Sequence, residues 1–193
     1  MSIEDVRGNY NSVGIRVMEQ MYTDNYLSIG GKDSTEALAH AAGVTADTHV
    51  LDVGCGIGGP SLHLAATFGC RVTGLDLIDV SVAQATERAR SKGLERLTDF
   101  HEGDATAMPF DDASFDLVWG QDAWCHVVDK SRLIAECVRV LVAGGTIAFT
   151  DWLVTGEMAR SDREDLLSAA ASETMETFDG YRALLIDHGF SIV

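Results

Sequence analysis

Proline is nearly missing from this chain, with two in 193 residues. There is no low-complexity stretch and no internal repeat, so nothing reads as a linker between domains. No apolar run approaches the ~18–20 residues that cross a bilayer. The opening Met1-Ser-Ile-Glu-Asp-Val-Arg7 lacks a basic region followed by an apolar core, so it does not read as a secretory signal. The four cysteines, Cys55, Cys70, Cys125 and Cys137, stand singly. With no C-x-x-C pair, neither a zinc site nor a redox dithiol is expected, and the expected metal set is empty. Reduced thiols in a cytoplasmic protein are the simplest reading.

Lysine is scarce too: Lys32, Lys92 and Lys130 are the three in the chain. Fourteen basic residues face thirty acidic ones, a net charge of −16. Such a surface repels nucleic acid, and no basic stripe offsets it. Asp outnumbers Glu 19 to 11, a bias that suits solubility in a high-salt cell. A cationic or neutral small substrate is tolerated better than an anionic one. No membrane or nucleic-acid partner is expected.

What is present is a hydrophobic fraction of 46%, enough for one domain with a real core. Strands are expected at 49–53, 71–75, 98–102, 115–119 and 146–150, with helices at 60–68, 80–92 and 130–141 between them. This alternation predicts a mostly parallel sheet with helices on both faces, an α/β Rossmann-like fold. Helices at 6–21 and 34–42, joined by 22–31, would form an N-terminal helical cap over the sheet. Helices at 162–176 and 178–188 would precede a strand opening at 190–193. A strand begun in the last four residues suggests that the C-terminal strands are truncated. The expected organisation is thus one domain, 1–193, with a cap at 1–47 and a core at 48–193.

The strongest chemistry lies in Val50-Leu-Asp52-Val-Gly54-Cys-Gly56-Ile-Gly58-Gly59-Pro60. A strand runs into a glycine turn and then a helix. Glycines let a ligand approach the backbone closely, and the helix start offers free N–H groups. The letters also satisfy G-x-G-x-x-G, so a nicotinamide cofactor must be weighed. Asp76 ends the second strand, 22 residues after Gly54, placed for two ribose hydroxyls. It suits either cofactor. Asp52 at the first strand end is placed to hold an amino-acid ammonium, directly or through water. Asp104 at the third strand end is placed to accept from an adenine amino group. These two favour S-adenosylmethionine (SAM), which carries a cationic amino-acid tail. Leu77 and Ala105, each following one of these acids, join the expected cofactor set.

Residues 48–151 resemble the core of class I SAM-dependent methyltransferases. Ala143 stands where that family often has Pro before two glycines, here Gly144-Gly145. The cap narrows the resemblance. Tyr10 precedes Asn25-Tyr26-Leu-Ser28-Ile-Gly30-Gly31, and Gln121-Asp122-Ala-Trp-Cys-His126 follows the fourth strand. Both are similar to segments of phosphoethanolamine methyltransferases and of their relatives acting on sarcosine and dimethylglycine. The resemblance implies that Ser28 contacts SAM, and Gln121 joins the expected cofactor set. It implies that Tyr10 and His126 pair as a latch over the active site, and that Asp122 faces a substrate amine. The chain departs from the phosphoethanolamine enzymes after the fifth strand: residues 165–176 hold no cation or phenol for a phosphate. Met18 stands where some of those enzymes have a second cap Tyr.

The expected partner is therefore a small-molecule methyl acceptor, an amine of the sarcosine or dimethylglycine kind. A neutral amine lone pair is the nucleophile, and His126, with an ordinary pKa near ~6.5, suits removal of its proton. Trp124 or Trp152 is available for cation–π contact, although packing is the commoner use of tryptophan. Two alternatives stand beside this reading. One is C- or O-methylation of a lipid or natural product. The other is a truncated SAM-binding module without turnover. A metal-dependent O-methyltransferase would want Asp-Asn after the fifth strand, where this chain has Asp151-Trp152.

Overall fold

The computed structural model describes residues 10–22, 26–169 and 172–193, leaving aside the side chains of Ser12, Met21 and Ala169. Five strands form one parallel sheet in the order β3-β2-β1-β4-β5. They are β1 (His49–Val53), β2 (Arg71–Asp76), β3 (Thr98–Glu102), β4 (Phe115–Gln121) and β5 (Leu141–Thr150). The helices are α1 (Ser12–Met21), α2 (Gly31–Ala42), α3 (Gly59–Phe68), α4 (Asp79–Lys92), α5 (Lys130–Val140), α6 (Arg160–Ala169) and α7 (Phe178–Asp187). A single 3-10 turn, Trp124–His126, sits between β4 and α5. This is the α/β Rossmann-like architecture that the alternating pattern predicts.

Parallel strands buried on both faces need apolar residues pointing both ways. Alternate residues therefore serve two cores. Leu51 and Val118 join Leu133, Ile134 and Tyr181 on one face. Their neighbours Val50 and Leu117 join Ala39, Leu64 and Val72 on the other. The strand ends that carry the expected site residues then project from one edge of the sheet, where ligands of such folds bind.

Helix boundaries follow local chemistry. Asn11 caps α1, its Oδ1 accepting from Val13 N and Gly14 N. The expected helix at 6–21 therefore starts later, at Ser12, and residues 1–9 lie outside the described part, as does Asn25. The expected helix at 162–176 is shorter as well. It ends at Ala169, residues 170–171 lie outside the described part, and Ser172 to Thr177 are not helical. Thr177 instead caps α7, its hydroxyl accepting from Gly180 N. The strand expected at 190–193 does not form. Gly189 takes φ +90° and Phe190 N donates to Leu185 O at 3.0 Å, closing the end of α7. That hydrogen bond removes a donor a ladder would need, and Phe190 packs onto the core.

Among the described residues no helix is long and apolar enough to cross a membrane.

Candidate active site

A cavity of about 360 Å³ opens beyond the carboxyl ends of the strands. Its floor is the glycine turn after β1, where Gly54 N and Cys55 N both donate to Leu75 O at 2.8 and 3.1 Å. Gly54 and Gly56 have φ of +82° and +52°. A Cβ on Gly54 would overlap the Ala123 methyl, and one on Gly56 would sit 3.3 Å from Leu27 Cδ1. Both glycines line the cavity, and both adopt left-handed backbone that side chains disfavour. Gly58 has another job and does not line the cavity. Its missing Cβ faces Ala85 and Phe100, so it seats α4 against the sheet.

The three expected acids divide in the same way. Asp76 lines the cavity, Oδ2 accepting from Gly56 N at 2.8 Å and Oδ1 from Ile78 N at 2.9 Å. Burial raises its pKa, against those two hydrogen bonds. Asp104 also lines the cavity, with Leu77 and Ala105 beside it. Its Oδ1 accepts from Thr106 N and Thr106 Oγ1 at 2.7 and 2.8 Å, which fixes the carboxylate plane. Asp52 is set back from the cavity. It is 1% exposed and accepts from Ser61 Oγ at 2.5 Å. A direct contact to a cofactor ammonium is therefore not its place; it braces the turn between β1 and α3.

Burial, with Asp76 nearby, pushes the Asp52 carboxyl up to about 7, against the Ser61 hydrogen bond. A folded pKa above the unfolded value of 3.8 means that the folded chain holds the extra proton in between. This contribution to stability is complete below about pH 4 and is lost as pH rises through about 7. Melting temperature is thus expected to fall between pH 5 and 8, and Asp52→Asn to flatten that slope. Calorimetric melts across this range check it; equal slopes in both proteins would rule the assignment out.

The end of β4 ties the cap to the core. Gln121 Nε2 donates to Ser28 Oγ at 3.1 Å, and Gln121 Oε1 accepts from Thr35 Oγ1 at 2.9 Å. Asp122 follows with φ +54°, a left-handed conformation that Asp tolerates better than most residues. It is held there by three hydrogen bonds. Its N donates to Thr150 O, Oδ1 accepts from Thr150 Oγ1, and Oδ2 accepts from Ile29 N, each at 2.9 Å. Ser28, Gln121 and Asp122 all line the cavity.

Tyr10 reaches in from the start of the cap. Its Oη lies 2.9 Å from His126 Nε2, with the rings edge to face. The two residues are 116 positions apart, so the fold brings the expected pair together. Burial pushes the phenol well above its ordinary range. Tyr10 is therefore a neutral O–H, able to donate to Nε2. His126 is carried by the 3-10 turn, and Trp124 anchors that turn from beneath. The indole is fully buried, stacks on Phe149 at 4.4 Å, and donates from Nε1 to Val53 O at 3.1 Å. Trp124 is committed to packing, and Trp152 does not line the cavity.

Sequence reasoning did not single out Leu27, Val127, Val128, Asp129 and Glu173, which also line the cavity. Asp129 had a signal: it stands before Lys-Ser-Arg as a helix cap, and its Oδ1 accepts from Arg132 N at 2.8 Å. Glu173 had none, because only the path of the chain after α6 brings it to the cavity.

A family model described as a methyltransferase domain matches residues 51–149. Methyltransferase GfsG of Streptomyces halstedii is 31% identical over 202 residues, covering 96% of this chain and 73% of its own length. The chain belongs to the methyltransferase domain family. Sarcosine/dimethylglycine N-methyltransferase of Halorhodospira halochloris is 35% identical over 144 residues, covering 75% of this chain and 52% of its own. Phosphoethanolamine N-methyltransferase 2 of Haemonchus contortus, solved with S-adenosyl-L-methionine, superposes with a TM-score of 0.89 at 28% identity. That match covers 98% of this chain and 44% of the nematode chain. Further relatives bear the names sterol 24-C-methyltransferase and tocopherol O-methyltransferase. This methyltransferase chain thus spans about half the length of the N-methyltransferases it matches.

SAM is the cofactor of the family, and the cavity suits it. Gly54 and Gly56 would lie beside the ligand, Asp76 has lone pairs beyond those taken by Gly56 and Ile78 that would suit a ribose diol, and Asp104 Oδ2 would suit an adenine amino group.

Proposed function

We propose that this methyltransferase transfers a methyl group from SAM to the nitrogen of a small amine. The Tyr10–His126 pair at 2.9 Å carries the reading, because it joins a neutral phenol and an imidazole at the cavity wall. Three carboxylates outside the expected cofactor set, Asp122, Asp129 and Glu173, line the same cavity and favour a cationic guest. The sarcosine/dimethylglycine enzyme among the relatives supports an amine of that class.

Bound in the cavity, SAM supplies an electrophilic methyl on a sulfonium. The chain's own residues prepare the nucleophile. Asp122 holds the incoming ammonium through lone pairs left by Ile29 and Thr150. The amine then loses a proton to Tyr10 Oη as the phenol proton passes to His126 Nε2. Deprotonation exposes the lone pair, and the cap, tied to the core by Tyr10, Ser28 and Ile29, keeps amine and methyl in register.

The test is incubation with labelled SAM and a panel: glycine, sarcosine, dimethylglycine, ethanolamine, phosphoethanolamine, a sterol and a catechol. Label is expected in N-methylated products. Label in the sterol or the catechol alone would support C- or O-methylation, the chemistry of other named relatives. SAM binding without label in any product would leave a binding module. Added EDTA is expected to leave the rate unchanged, because the Asp151 carboxylate is engaged by Cys125 N and the Tyr181 hydroxyl. A rate lost with EDTA and restored by magnesium would overturn that expectation.

A further inference from the structure

His126 is held by a short turn, and a three-residue 3-10 turn does not hold its own shape. The inner anchor is the Trp124 indole on β1. The outer anchor is a cluster outside the cofactor cradle. Asp151, just past β5, accepts from Cys125 N at 2.9 Å through Oδ1 and from Tyr181 Oη at 2.6 Å through Oδ2. Ser172 Oγ donates to Cys125 O at 2.6 Å. The Lys130 ammonium, in a residue 4% exposed, donates to Val127 O and also reaches Thr174 O and Thr174 Oγ1 at 3.4 Å. The residue before His126 is thus gripped at both its N–H and its C=O, and the residue after it at its C=O.

These partners come from four places: the end of β5, the start of α5, the segment after α6, and α7. Tyr181 also packs edge to face on Phe149, the ring on which Trp124 stacks. Inner and outer anchors therefore share one aromatic stack. Core packing alone would not call for a carboxylate here. A half-buried carboxylate and a buried ammonium are retained only when their hydrogen bonds are met, and each spends one of them on the backbone at this turn, Asp151 on Cys125 N and Lys130 on Val127 O.

We infer that Asp151 and Tyr181 are positioning residues that clamp the Trp124–His126 turn and set the His126 ring against Tyr10. The inference rests on the proposed role of His126 in methyl transfer. Tyr181→Phe deletes a hydroxyl and keeps the ring. Asp151→Ala deletes both acceptors. Asp151→Asn keeps the clamp, since its amide oxygen accepts from Cys125 N and its NH₂ donates to Tyr181 Oη.

The experiment combines steady-state kinetics, SAM calorimetry, thermal melts and the His126 ring resonances by NMR on the full chain. Tyr181→Phe and Asp151→Ala are expected to lower kcat about tenfold or more, while SAM affinity stays within about twofold. Asp151→Asn is expected to recover most of kcat. The His126 resonances should move in the first two variants and return toward their original positions in the third. The resonances need no turnover, so they separate the two ideas. A His126→Ala variant with full kcat would sink the catalytic role and leave the clamp standing on the resonances. Unmoved His126 resonances in Tyr181→Phe and Asp151→Ala would sink the clamp whatever the rate. Where His126→Ala itself lowers kcat, a lower melting temperature with kcat per folded molecule preserved in both clamp variants would overturn it as well.

Discussion

Tyr10→Phe and His126→Ala are each expected to lower kcat about 100-fold or more, with SAM affinity nearly unchanged. The two groups share one hydrogen bond of 2.9 Å, so removing either breaks the same proton path. The double variant should be scarcely worse than the worse single one, because residues acting as a unit are non-additive. His126→Ala should be the more harmful, since it removes the final acceptor of the proton. The wild-type rate should fall toward acid pH, where a protonated imidazole can no longer accept. That limb should vanish in His126→Ala. Turnover and thermal melts on the same three variants check this. Additive losses, or lower melting temperature with kcat per folded molecule preserved, would reduce both residues to packing.

Asp76→Ala is expected to weaken SAM binding by roughly 30- to 150-fold, about 2–3 kcal/mol. Two losses combine. The ribose hydroxyls lose a charged acceptor, and Gly56 N and Ile78 N lose the carboxylate that fixes the glycine turn. Asp76→Asn separates them. An amide retains one acceptor oxygen for the turn but offers donors elsewhere, so its affinity should fall between wild type and Asp76→Ala. Isothermal calorimetry gives the numbers. Unchanged affinity in Asp76→Ala would remove Asp76 from the ribose subsite.

Much of the cofactor cradle is legible locally. Gly54 and Gly56 lie in a strand–turn–helix whose glycines permit the left-handed backbone that the structure shows. Asp76 and Asp104 are each placed by the end of one strand. Asp52 shows the limit of that reasoning. Its position beside the glycines matches an ammonium contact, yet its side chain turns toward Ser61, nine residues on, and is buried. Strand position fixes where a Cα lies; which way a carboxylate points depends on the helix packed beneath it. Gly58 misleads in the same way, because what its missing Cβ makes room for is on another helix and strand. The strand expected at 190–193 fails for a related reason. Alternating apolar letters permit a strand, but a ladder needs a free N–H, and that of Phe190 closes α7.

The sequence by itself determined the alternating α/β order, the parallel sheet, the glycine turn and the acids at the strand ends. All of these follow from periodicity and from backbone preferences spanning a few residues. Tertiary structure alone decided which distant groups meet. It set Tyr10 against His126, Gln121 against Ser28, and Asp151 against both Cys125 and Tyr181. Resemblance named the first of these pairs, but no local pattern does. Contacts across 116, 93, 26 and 30 residues are fixed by how strands and helices pack, and side-chain geometry exists only once that packing is complete.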